Sequence, residues 1–425
     1  MARLLDLHVH PSLKMYYLPY LRANFHALVY AGAHWNPLSF RTQYLHLNKS
    51  PEKVMMCAHY VIEHGFVKEG IKPVFRAIAE TVSLGFYKRL TKEEPWKALM
   101  GQMETLEKAV DNSNRWVFGE GKKFKMVRSF EEIDSLEENE IAMIHAVEGS
   151  HALGYGPENG QTKDEFWQQT KKRLRYLKER GVSMITLGHF WDNMFAPQTE
   201  GTELGSKVVK GEIRPRKEDE VFHMKRGTWK WGDPNKLSEE MTRELMDLGI
   251  VIDVSHTQEH ARWAIYDICA EYNRPIVASH VGLQHFFNHE YNMSDAEIKK
   301  IHELGGVIGL IPSRKWLVDP IVRHGSNGDG IDDIIENMRY IKEVTGDVSC
   351  IGIGTDFDGL TDPFKDMWVP SQLNDMIDKM AAFFTPEEID DILYGNSLRV
   401  FRNGWVAPKD KALQKKLNRR KNRAA

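Results

Sequence analysis

The chain has 425 residues, 42% hydrophobic and 28% charged, with 17 Pro and 32 Gly, which is the composition of a globular protein built as one large α/β domain or two modest ones. No apolar run nears the roughly 18 residues that span a bilayer, and the opening MARLLDLHVHP is broken by Asp6 and His8 before any small-residue cleavage site, so a cytoplasmic chain is expected. The formal charge of −3 is uneven: residues 409–425 carry eight Lys/Arg against one Asp, a net +7, so the body before them is near −10 and is not expected to bind nucleic acid.

In chain order, short apolar runs suited to buried parallel strands occur at Leu4–Val9, Lys72–Ala79, Ile141–Val147, Val182–Leu187, Ile250–Val254, Pro275–Ser279, Val307–Ile311 and Ser349–Ile353. Helical periodicity fills several gaps between them: Asp164–Arg180, Ser238–Leu248, Gln258–Tyr272, Ser294–Leu304 and Gly330–Val344. ERGVSMITL, DLGIVIDV and ELGGVIGLI each pass from helix to strand through a glycine (Gly181, Gly249, Gly305) placed where a helix end needs a left-handed residue. Alternating units of this kind predict a (β/α)₈ TIM-type barrel. An open doubly wound sheet is the competitor, weakened because no GxGxxG follows the first strand. Residues 1–408 form the barrel in this reading, with rim insertions at about 11–70 and 196–235, and 409–425 are a solvated basic tail.

Cys57, Cys269 and Cys350 lie apart without CxxC spacing, so any metal must be held by His and carboxylate. Strict alternation along LLDLHVHP puts Leu5, Leu7 and Val9 on one face and Asp6, His8 and His10 on the other, and two imidazoles then leave the strand together at its C-terminal end. The same event recurs: IAMIHAVEGSH ends a run with Glu148, IVIDVSH with His256, PIVASH with His280 and CIGIGTDFDG with Asp356. Any one of these has a bland reading as a cap or a satisfied buried imidazole. All of them at the same end of strands point to one funnel at the mouth of a barrel. Two divalent ions fit such a set, His8 and His10 on one, His256 and His280 on the other, and Glu148 bridging through its two oxygens. His145 and His151 flank Glu148 and read as supporting or rim residues. Asp6 is placed to orient one of the histidines, and Asp358 either does likewise or caps the next turn. Ser150, Ser255 and Ser279 adjoin the ligands, but without a Gly-x-Ser-x-Gly elbow no serine nucleophile is expected.

The order HxH, VEGSH, ITLGHF, ELMDLGIVIDVSH, PIVASH, GIGTDFDG and YGNSLRVF resembles the membrane (renal) dipeptidase family of the amidohydrolase superfamily, over about Leu4 to Phe401. The resemblance implies a dipeptide-cleaving barrel with two zinc ions, in which Glu148 bridges, His8 serves the first ion, and His256 and His280 serve the second. It also implies that Asp356 shuttles the proton and that His189 steadies the oxyanion. Two departures stand out. The family's His-x-Asp is here His8-Val9-His10, which removes a negative charge and predicts a more Lewis-acidic first ion. The family's carboxylate-clamping arginine is replaced in HFFNHEYNMSD by a stretch with Tyr291 or His289 near that place, leaving Arg314 or Lys315 as candidates for the missing cation. A lactone, ester, N-acyl amino acid or cyclic amide is therefore the alternative substrate, and a non-catalytic metal-retaining scaffold the alternative of another class. A homodimer is expected by analogy.

Overall fold

The computed structural model describes residues 2–18, 21, 23–27, 39–63, 89, 93–199, 231–313, 316–318, 330–359 and 363–424. Among them nine strands form one sheet: β1 (Leu4–Val9), β2 (Glu52–Tyr60), β3 (Lys123–Val127), β4 (Glu140–Glu148), β5 (Met184–Thr186), β6 (Val251–Asp253), β7 (Val277–Val281), β8 (Val307–Leu310) and β9 (Ile351–Ile353). Every pairing is parallel, and the neighbours run β2-β1-β9-β8-β7-β6-β5-β4, with β2 also paired to β4 from Val54–Ala142 to Tyr60–Glu148. Eight strands thus close into the expected barrel. The extra strand β3 pairs with the first half of β4, along the edge whose second half β5 occupies.

Seven of the expected runs coincide with barrel strands. The eighth, Lys72–Ala79, lies outside the described residues, and the wall position between β1 and β4 is filled by β2, inside the stretch expected to be a rim insertion. That stretch also holds the helix α1 (Pro11–Tyr17). The 196–235 insertion is outside the described residues from 200 to 230. Among the described residues, no helix is long and apolar enough to cross a membrane.

Leu5, Leu7, Val54, Met56, Ile144 and Val251 fill the barrel interior together with Val400, Phe401 and Trp405 of the C-terminal YGNSLRVFRNGW segment. A second apolar layer, including Met55, Cys57, Ile141 and Met143, packs outward against Leu106 and Ala109 of helix α2 (Pro95–Asn114). Helix α3 (Lys163–Glu179) starts with a Thr162/Glu165 capping box, and helix α4 (Ser238–Leu248) ends on Gly249 at φ 64°, as the helix–Gly–strand pattern predicts. The basic tail, expected as a solvated extension, is helical over Lys411–Ala424 with most of its described side chains exposed; Leu413 is buried and Lys416 pairs with Glu179 at 2.5 Å.

Candidate metal centre

Strict alternation does not deliver the histidines. Leu5 and Leu7 lie in the barrel interior and Val9 on the outer face, with a register shift between Asp6 and Val9 against β2. A bulge of this kind lets successive side chains share a face, so His8 also reaches the barrel mouth. β7 does the same, with a shift between Ala278 and Val281 that brings Ser279 and His280 inward together. After β6 and β9 the chain turns through left-handed residues, His256 at φ 64° and Asp356 at φ 53°. Non-glycine residues in that region carry a conformational cost and collect at functional sites. Gly359 is required beside Asp356, since a Cβ there would stand 1.9 Å from Asp356 Oδ1.

All five expected ligands meet. Glu148 Oε1 lies 3.2 Å from His8 Nε2, 3.3 Å from His280 Nε2 and 3.5 Å from His256 Nε2, while Oε2 lies 3.4 Å from His10 Nε2. His8 and His10 bring their Nε2 atoms to 3.0 Å, as do His256 and His280. Asp356 Oδ1 is 3.0 Å from His10 Nε2. Burial would raise the Glu148 carboxyl, but His189, His8 and His10 around it hold it well below the ordinary range. Burial likewise opposes ionisation of Asp356, and the His10 contact overcomes it. His256 is pushed down to about 4 by burial and by His189.

The ring orientations are set by a part of the site that the linear pattern does not reveal. Asp253 is fully buried and accepts hydrogen bonds from Thr186 Oγ1 at 2.5 Å, Ser279 Oγ at 2.6 Å, Ser255 Oγ at 2.8 Å and the Ser279 amide at 2.9 Å. It is held below the ordinary carboxylate range against burial by His280 and His8. A serine hydroxyl has one proton, and Ser279 gives it to Asp253. Its lone pairs then accept from His280 Nδ1 at 2.7 Å and His8 Nδ1 at 3.1 Å. Both rings therefore carry a proton on Nδ1 and turn Nε2 toward Glu148. Asp6 braces the same strand differently from expectation, accepting from the His8 amide (3.1 Å) and the Thr355 amide (2.9 Å) rather than from a ring. Asp358 is buried and ties down the segment after α1, accepting from the Arg41 amide at 2.9 Å, the Thr42 amide at 2.8 Å and Lys14 Nζ at 3.2 Å.

His189 joins the cluster, its Nε2 3.5 Å from Glu148 Oε2. Tyr291 is buried and donates its hydroxyl to the His280 carbonyl at 2.5 Å, while His289 Nδ1 accepts the Tyr291 amide at 3.0 Å. Both thus brace β7's histidine. Arg314 and Lys315 lie outside the described residues. His151 stays at the mouth, with Nε2 on the Val61 carbonyl at 2.6 Å, whereas His145 faces the helix layer and meets Glu107 of α2 at 3.4 Å. The expectation that His145 supports the ligands fails because it is an odd number of residues from Glu148 on a regular strand.

The donor set fits divalent cations. His8, which burial holds below the ordinary imidazole range, turns a lone pair toward an oxygen of the ionised Glu148 at 3.2 Å, and the two repel unless positive charge lies between them. Three overlapping groups of buried ligand atoms meet here: His8–His10–Glu148, His8–Asp253–His280 and Glu148–His189–His256. Neutral imidazole and carboxylate suit zinc among other divalent ions.

The sequence model of the membrane dipeptidase family, peptidase family M19, matches residues 217–414. A protein of Schizosaccharomyces pombe described as an uncharacterized dipeptidase is 26% identical over 265 residues, which cover 62% of this chain and 53% of the relative. The chain spans about half the length of the curated relatives it matches. In fold, it is similar to a Rhodobacter sphaeroides metallopeptidase solved with a phosphinate mimic of L-Ala-D-Ala (TM-score 0.62, 17% identity, 95% of this chain and 99% of that one). An amidohydrolase of Pseudomonas aeruginosa is similar to the same degree, with TM-score 0.60, 15% identity, and 95% and 97% covered.

Proposed function

We propose that the chain, whose residues 217–414 match the membrane dipeptidase model, is a metal-dependent hydrolase cleaving a dipeptide at a two-zinc centre. The observation that carries this reading is the convergence of four imidazole Nε2 atoms, from His8, His10, His256 and His280, on the two oxygens of one buried glutamate at 3.2 to 3.5 Å. In the proposal, His8 and His10 hold one ion, His256 and His280 the other, and Glu148 serves both. Bound there, divalent ions supply Lewis acidity and make water a nucleophile near neutral pH.

Asp356 stands ionised beside His10 and takes the proton of the attacking water, then delivers it to the leaving nitrogen. Burial opposes a charge on His189, but the Glu63 and Glu148 carboxylates raise it above the ordinary imidazole range, which favours a ring protonated on both nitrogens. With Nδ1 on Glu63, the Nε2 proton is the one it donates to the carbonyl oxygen as charge develops there. Such a donor contributes about 3 kcal/mol to transition-state stabilisation. With a neutral imidazole from His10, the ligand set that would hold the first ion is less negative than one with a carboxylate there, which would make a bound ion the stronger Lewis acid.

The test is a turnover screen of zinc-loaded protein against L-L and L-D dipeptides, with lactones, esters and N-acyl amino acids in parallel. Dipeptide cleavage that a chelator abolishes and added metal restores is the expected result. Turnover confined to the lactones and N-acyl compounds would overturn the dipeptidase reading. Tight metal retention with no turnover of any substrate would identify the scaffold instead.

A further inference from the structure

His189 reaches the centre from the loop after β5, on no ligand-bearing strand end, and something must hold its ring. The holder is a carboxylate beyond the end of β2. Glu63 is 1% exposed, and its Oε1 lies 2.9 Å from His189 Nδ1 and 3.1 Å from the Phe190 amide. Its Oε2 accepts the Tyr60 hydroxyl, and the Tyr60 ring lies 4.2 Å from the His189 ring, centroid to centroid. A buried carboxylate with three donors turned on it can receive only a proton-bearing Nδ1 from the imidazole. One bond therefore fixes which nitrogen of His189 faces away from the centre and turns Nε2 toward Glu148 at 3.5 Å. The Phe190 amide on the same oxygen ties the backbone next to the ring, so that Glu63 sets both the position of the loop and the rotation of the side chain.

We propose that Glu63 is the positioning residue of His189: through the Nδ1 hydrogen bond it aims Nε2 into the space where the carbonyl oxygen of the substrate is polarised. The inference rests on the hydrolase reading for what His189 does there, but the aiming itself is a property of the chain.

Two measurements on the zinc-loaded full chain test it. In the ¹H–¹⁵N spectrum of histidine-labelled protein, a slowly exchanging Nδ1 proton of His189 is expected. It is identified by its loss in His189→Ala, and it is also lost or strongly shifted in Glu63→Gln. If the wild-type resonance is absent, or unmoved in Glu63→Gln, the proposal is overturned. In turnover, Glu63→Gln is expected to lower kcat by about 10- to 100-fold with little change in KM or in bound zinc. Glu63→Gln/His189→Ala should be no slower than His189→Ala alone, because both remove one function. Losses that multiply would overturn the proposal, as would a fall in zinc content that accounts for the whole effect. Should the wild type cleave no dipeptide, the hydrolase reading fails while the spectrum still decides whether Glu63 fixes the ring. A Glu63→Gln chain that does not fold leaves the wild-type spectrum, with His189→Ala for assignment, to decide.

Discussion

β2 and β4 lie side by side in the barrel wall, and each carries ionisable groups on both faces. On the inner face Glu148 and Tyr60 look into the mouth, where imidazoles crowd one carboxylate and the Nδ1 atoms of His10 and His256 are buried without a hydrogen-bond partner among the described residues. On the outer face Ser12 Oγ meets His59 Nδ1 at 2.8 Å, His59 Nε2 meets His145 Nδ1 at 2.7 Å, and His145 Nε2 meets Glu107 at 3.4 Å. Glu107 is in turn paired with Arg180 at 2.8 Å and Arg128 at 3.1 Å. The outer chain closes on itself, every nitrogen matched to a protein group. The inner cluster has more lone pairs than protons to meet them. Imidazoles line both faces, so it is the surplus of acceptors, rather than the mere presence of histidine, that marks the face suited to a cation.

The largest effects expected from this contrast lie on the inner face. Glu148→Gln removes the charge that all four ligand histidines share, so both bound zinc, read by elemental analysis, and turnover should collapse. Asp356→Asn should separate the two readouts: metal content survives, while turnover falls by about 10²- to 10⁴-fold, the contribution usual for a positioned proton-transfer group. Unchanged turnover in Asp356→Asn would remove the proton role. Next in size is a change on the outer face, where His145→Ala leaves His59 Nε2 without its partner and opens a cavity, while Glu107 keeps Arg180 and Arg128. Stability should fall by about 2–4 kcal/mol in urea titrations, with kcat per bound metal unchanged. A variant that loses catalysis without losing stability would break the division between the faces.

Much of this was legible in the chain. A helix that ends in glycine and runs into an apolar strand is a local signal, and ligand-type residues at strand ends are a local signal too, so the barrel and the meeting of the five side chains proposed as ligands follow from residue type and position. What failed was regularity. Leu7 and His8 both turn inward because β1 is bulged, and a bulge is a pairing property that alternation within one strand does not carry. β2 escaped because VMMCAHY is short of β-branched residues and sits among aromatics that read as a rim insertion. The carboxylates behind the ligands were invisible for another reason. Glu63 is 126 positions from His189, and Asp253 meets Ser279 across 26, so their partnership exists only once the barrel closes.

Ser279→Ala sharpens the comparison at smaller amplitude. Without its hydroxyl, His8 and His280 lose the acceptor that fixes their Nδ1 protons, and Asp253 loses a donor. Zinc affinity, measured by chelator competition, should weaken about 10-fold while the fold persists. The inner face thus depends on a braced tautomer, and Ser279→Ala with affinity unchanged would show that the rings are held by packing alone.

The outer face offers the smallest and most specific test, because its two histidines should behave as buried neutral bases. Burial pulls His59 well below the ordinary imidazole range, helped by His145, and burial also lowers His145 despite the raising effect of Glu107. The folded chain keeps the pair unprotonated where the unfolded chain, with imidazoles near their ordinary value of about 6.5, begins to take up protons. Below that value the unfolded state binds more protons than the native state, so stability rises with pH there. The contribution is fully present above about pH 6.5 and is lost as pH falls toward the depressed folded values. Each imidazole adds at most about 1.4 kcal/mol per pH unit to that slope. Zinc-loaded wild type and His59→Asn, compared by urea titration between about pH 7.5 and about pH 5.5, share the acid release of metal from the inner face, so the difference between their slopes isolates the outer pair. His59→Asn should be less stable at the upper end but flatter with pH. Parallel slopes would mean that His59 titrates alike in folded and unfolded chains, and the outer face would then be no sealed neutral chain but a solvated one.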